Sequence, residues 1–121
     1  MKFTKETFRQ FREETFTELN ELIDQKNDDY TAGGSVFANF ELCEEIGIDR
    51  LQGLTIRFLD KVQRLKSYAK SGRLSVADEG IEDVFKDFIG YSFLALGMIR
   101  EDASEKQYDD GDVWRDQKNQ I

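Results

Sequence analysis

Three groups of residues in this chain have the types and spacing that could do chemistry. Asp83 and Asp87 are four apart within residues 81–99, so on a helix they stack on one side, in line with Tyr91, Leu94 and Met98. A carboxylate in such company needs a positive partner: a metal ion, an arginine or a lysine. Glu41, Glu44 and Glu45 crowd three acids into about one turn, which read either as a solvated face or as metal-linked. Arg57, Asp60, Lys61 and Arg64 form a row of alternating charge, which read either as a surface ladder or as one side of a site.

The residues that are missing narrow the chemistry. The 121 residues include no histidine and one cysteine, Cys43. That excludes Ser-His-Asp and Cys-His nucleophile systems, a disulfide framework within the chain and a four-cysteine zinc site. Any metal would be held by oxygen, which favours Mg²⁺ or Mn²⁺. The net charge of −8 argues against direct DNA or RNA binding, although a nucleotide carrying its own Mg²⁺ stays compatible. No uncharged stretch of 18 residues and no apolar leader occurs, so the expectation is a cytoplasmic protein without a membrane segment.

Helices must position these groups. There is no proline, ten residues are phenylalanine and alternating β-branched runs are scarce, so the fold class is all-α, a compact bundle of four main helices. The first helix is predicted over 4–26, with Phe8, Phe11, Thr15, Leu19, Leu22, Ile23 and Lys26 on one face and Glu14, Glu18, Glu21 and Asp28 on a side row. Asn27, two aspartates and Gly33-Gly34 predict a loop over 27–35. Ser35 is read as the cap of a short helix to residue 46, with Phe37 and Phe40 inward and Cys43 as a small buried residue. Gly47 ends it, and Asp49 caps a helix over 50–70 with Leu51, Leu54, Phe58, Val62, Leu65 and Ala69 as its core stripe.

Residues 73–80 are a short link to a long buried helix over 81–100, which should pack antiparallel on its predecessor and bring the Asp60 region near Asp83 and Asp87. Domain organisation is one helical domain, residues 1–100, and an acidic, partly mobile tail, 101–121, in which Val113 and Trp114 are docking candidates.

Four segments together resemble a known family. They are Lys26-Asn27-Asp28-Asp29-Tyr30, Val36-Phe37-Ala38-Asn39-Phe40, Arg57-x-x-Asp60-Lys61-x-x-Arg64-Leu65 and Glu82-Asp83-x-x-x-Asp87-x-x-Gly90-Tyr91. Their order is similar to the small phage and bacterial nucleotide-modification-associated proteins, grouped with the MazG-like all-α nucleoside triphosphate pyrophosphatases. The resemblance implies Mg²⁺-dependent cleavage of a (d)NTP to the monophosphate and pyrophosphate by a homo-oligomer, a dimer or a tetramer. It implies metal ligands among Asp60, Glu82, Asp83 and Asp87, with Glu41 and Glu45 as supplementary carboxylates, and a catalytic role for Asp60, Asp83 and Asp87. Lys26, Asp29, Tyr30, Asn39, Arg57, Lys61, Arg64 and Tyr91 would bind the nucleotide. The family's acids read EExxE on one helix and ExxD on the next. Here the first place holds Arg57-x-x-Asp60, and Asp83 and Asp87 are four apart. That thinning leaves a second expectation open: an acidic helical protein that binds a nucleotide or inhibits a host protein without catalysis.

Overall fold

The computed structural model describes residues 1–31, 34–73 and 80–105, with the backbone alone at 30 and 31. Every regular element in it is helical: α1 (Lys5–Thr31), α2 (Ala38–Glu41), a 3₁₀ helix (Leu42–Ile46), α3 (Arg50–Ser71) and α4 (Ile81–Glu105). The all-α expectation holds with four α-helices. None of them is long and apolar enough to cross a membrane.

Local chemistry sets the helix ends. Before α1, the Thr4 hydroxyl accepts from the Thr7 N–H at 3.1 Å while the Thr7 hydroxyl accepts from the Thr4 N–H at 2.8 Å, a reciprocal cap. Asp49 caps α3, its carboxylate accepting from the Leu51 N–H, and Gln52 accepts back from the Asp49 N–H. Gly47 and Gly72 take left-handed backbone angles, φ 80° and 73°, and close the elements before them.

Two boundaries depart from expectation. α1 runs on to Thr31 although its last turn carries two aspartates and no base, which oppose the helix dipole. Outside the helix, the Asn27 amide donates to the Val36 carbonyl at 3.0 Å, so this asparagine ties the following loop back instead of breaking the helix. The helix predicted over 35–46 is two pieces, α2 and the 3₁₀ helix. Ser35 starts the segment by accepting from the Phe37 N–H and donating to Glu41 Oε1, rather than by capping α2.

α3 and α4 pack antiparallel, as expected. Arg50 meets Glu101 and Asp102 at one end, and near the middle of α3 Phe58 packs on Phe88 and Tyr91 while Lys61 meets Asp87. α1 and α2 cover one face of this pair. Ile23 approaches Gly90, Phe16 meets Phe93, and the Phe37 ring lies so near Gly97 that a Cβ there would sit 2.9 Å from it. Phe37, Phe40, Leu54 and Met98 form the core cluster, with Leu51, Phe58, Tyr91, Leu94 and Ala95 packed around it.

The expected buried stripes are only partly buried. Leu19 is buried on α1, yet Phe8, Phe11 and Leu22 on the same face are exposed. On α4 Val84 and Met98 are fully buried, whereas Phe85, Ile89, Phe93 and Leu96 are not, so the apolar surface of the long helix is wider than the part its neighbours cover. α4 also continues to Glu105, five residues into the segment read as a tail. Val113 and Trp114 lie outside the described residues, as do Gly33 and most of the link at 73–80.

Candidate functional site

Three helices converge on Asp87. Lys61 of α3 places Nζ 2.8 Å from Asp87 Oδ2, and Lys26 of α1 places Nζ 3.1 Å from Oδ1. The Asp87 and Lys61 side chains are four-fifths or more covered, and Lys26 is half exposed. Of the three positive partners the sequence allowed, lysine is the one present, twice. Burial pushes the Asp87 carboxyl up, but hydrogen bonds from Lys61 and Lys26, with their charges, outweigh it and hold it below the usual carboxylate range.

This geometry has chemical consequences. One carboxylate between two ammonium groups leaves a local charge of about +1 in a chain of net −8. Arg57 and Arg64 flank Lys61 by one turn on α3, which extends the basic row. A carboxylate held ionised in this way is a weak proton acceptor, because a general base works best with a pKa near the ambient pH. Both of its oxygens already accept from ammonium groups, so Mg²⁺ there would have to displace two lysines. Among the described residues no three acids or cysteines come together to hold a metal ion, and no buried polar side-chain atom lacks a partner. In this arrangement the residues around Asp87 fit an anion better than a divalent cation.

The other candidates fall elsewhere. Asp60 and Arg57 are exposed, although Lys61 beside them turns inward. Glu82 is exposed, and Asp83 accepts from the Gly80 N–H at 3.3 Å, the part an acid plays in a helix's first turn. Tyr91 is half-buried against Phe58 and Asn39 is half-buried on α2, while Asp29 is exposed and the Tyr30 side chain lies outside the described residues. Glu45 is exposed, as are Glu14, Glu18, Glu21 and Asp28, which therefore form the solvated row.

Glu41 belongs to a second cluster that the sequence reading missed. Arg50 is 7% exposed, with its guanidinium 5.0 Å from the centre of the Phe37 ring. Its Nη1 lies 3.1 Å from Glu101 and 3.7 Å from Glu41, and its Nη2 lies 3.0 Å from Asp102 and donates to the Met98 carbonyl at 3.4 Å. Burial pushes the Arg50 pKa down, but the hydrogen bonds and charges of Glu101 and Asp102 outweigh it and leave it raised. Asp87 and Asp102 are fifteen positions apart, about 22 Å along the helix, so Glu41 and Asp87 are not parts of one centre. A signal was present in the sequence: Arg50 opens a helix while Glu101 and Asp102 close its antiparallel neighbour. Assigning those two acids to a tail concealed it.

The four segments of the resemblance nevertheless meet. Lys26 reaches Asp87, Asn27 ties down Val36, Phe37 fills the core beside Gly97, and Lys61 returns to Asp87. Compared with known proteins, the chain matches no family model, no curated protein and no solved structure.

Proposed function

We propose that this chain is a MazG-like nucleotide-handling protein, working as a homo-oligomer, that receives the polyphosphate of a (d)NTP at the junction of α1, α3 and α4. The carrying observation is the pairing of Lys26 and Lys61 on Asp87. It joins cations from two distant segments in a strongly acidic chain, where an added anion would share two lysines held by one carboxylate. The half-buried Tyr91 and Phe58 beside them offer aromatic surface for a base.

Cleavage to the monophosphate and pyrophosphate with Mg²⁺ is the activity the resemblance implies. A second reading, nucleotide or protein binding without catalysis, is favoured by the engagement of both Asp87 oxygens.

The test is pyrophosphate release from a panel of NTPs and dNTPs, with Mg²⁺ and with EDTA, together with the shift in melting temperature each nucleotide causes. Metal-dependent release that is lost in Asp87→Asn supports the hydrolase. Nucleotide-induced stabilisation without release supports the binding reading, and neither effect with any nucleotide sinks both nucleotide readings.

A further inference from the structure

α1 runs antiparallel to α4, with Lys26 on Asp87, Ile23 against Gly90 and Phe16 on Phe93. Before Phe16 the same face of the helix continues: Phe8 and Phe11 fall in line with Leu19, Leu22 and Lys26. Phe3 packs on both of these rings, with centroids 5.8 Å and 5.3 Å away. Even so, Phe3, Phe8 and Phe11 remain 46%, 46% and 43% exposed, and every residue from 1 to 14 is exposed. Cations border the rings. Lys5, Arg9 and Arg12 fall on one edge of the face, and the Arg12 guanidinium lies 5.7 Å from the centre of the Phe8 ring. Glu14 and Glu18 fall on the other edge. Residues 1–12 hold four cations and one acid in a chain of net charge −8.

We infer that this face is the docking site of the chain's own residues 108–114, with Asp109, Asp110 and Asp112 against Lys5, Arg9 and Arg12, and Trp114 on the rings of Phe8 and Phe11. Three observations select this occupant. The first is charge. Residues 108–114 read YDDGDVW, three aspartates and no base between two aromatic residues, the complement of a basic edge beside exposed rings. The second is reach. From the contact of Phe16 with Phe93, α1 runs back to its start and α4 runs on to its end on the same side. Phe16 to Phe8 rises about 12 Å, and Phe93 to Glu105 about 18 Å. The nine residues 106–114 extend to about 30 Å, enough to return Trp114 to Phe8 and Phe11. The third is width. A bilayer or a nucleic acid would press on both edges of the helix, and Glu14 and Glu18 would repel it, whereas one segment of chain can keep to the basic edge. Docking within one chain also proceeds at an effective concentration on the order of mM, so a few contacts suffice.

The inference does not depend on the nucleotide reading, because α1 meets Asp87 through Lys26, at its far end.

The test uses the sole tryptophan, Trp114, as its own probe. In the full chain its emission should be blue-shifted relative to the urea-unfolded chain, and acrylamide should quench it severalfold less. Neither property should change over a hundredfold range of protein concentration. Lys5→Glu/Arg9→Glu/Arg12→Glu should move the emission back toward that of the unfolded chain. Adding Asp109→Lys/Asp110→Lys/Asp112→Lys to that variant should restore the blue shift. A Trp114 as exposed in the native chain as in urea overturns the proposal. So does burial that the reversed arm leaves unchanged, or burial that appears only as the protein is concentrated, which gives the face to a second copy.

If the reversed arm does not fold, Asp109→Asn/Asp110→Asn/Asp112→Asn decides, since it alters no residue of the four helices. Stronger quenching of Trp114 in that variant is the expected result, and unchanged quenching overturns the proposal.

Discussion

Asp87 holds two ammonium groups, and Asp87→Asn would put a neutral amide where a carboxylate now lies 2.8 Å from Lys61, the more buried of the two. Turning two charge-assisted hydrogen bonds into neutral ones costs about 1–3 kcal/mol, to be read as a lower urea midpoint at neutral pH. The pH dependence has a definite sign. Because the folded carboxyl titrates below its unfolded value, Asp87 contributes stability above the unfolded pKa of about 3.9 and loses it as pH falls through the lower folded value. Urea midpoints from about pH 6 to pH 2 should therefore fall less steeply in Asp87→Asn than in the wild type. A second residue-scale expectation concerns Gly53. A Cβ there would sit 2.6 Å from the Cys43 sulfur, so Gly53→Ala should destabilise by about 1–3 kcal/mol. Cys43→Ala removes that sulfur, so the double variant should be more stable than the sum of the single changes predicts; additive costs would show that the clash is elsewhere.

At the scale of the element, each helix draws on a few contacts outside itself. α3 begins at the capping box of Asp49 and Gln52, and Asp49→Ala should cost about 1 kcal/mol in thermal or urea unfolding. α4 ends in a turn that Arg50 holds through Glu101, Asp102 and the Met98 carbonyl. Lysine has one nitrogen where the guanidinium places two, Nη1 on Glu101 and Nη2 on Asp102 and the Met98 carbonyl, so Arg50→Lys should speed amide exchange over residues 99–105 while leaving the middle of α4 protected. Uniform exchange along α4 in that variant would mean that the guanidinium supports the whole core instead. The same contacts explain why the last turn of α4 carries no helical signal of its own in the sequence. Its helicity comes less from its own sequence than from a residue fifty positions earlier.

For the whole molecule, the balance between core and charge matters most. Among the described residues six hydrophobic side chains are buried, and more than twice as many large ones are exposed. A core that small is a weak counterweight to the entropy of ordering three long helices, so the open apolar faces bear on whether one copy is stable alone. Two copies of net charge −8 repel at long range, and salt screens that repulsion. Association measured by sedimentation should tighten from low to moderate ionic strength, whereas a dimer held mainly by ion pairs would weaken.

The sequence by itself determined the helical class, the starts of α1 and α3 and the antiparallel order of α3 and α4. Those follow from local rules: hydrophobic period, threonine and aspartate at caps, glycine at left-handed ends, and short links between long helices. It also showed that Asp87 needed a cation, since a carboxylate in an apolar line cannot stand alone. Which cation was decided by tertiary structure, because Lys26 and Asp87 are 61 positions apart and no local pattern couples them. Tertiary structure likewise gave Asp83 to the helix start and Glu41 to Arg50, and it left one side of α4 uncovered. An apolar stripe states that a helix face avoids water; only the arrangement of the other helices decides whether that face is covered within the same chain.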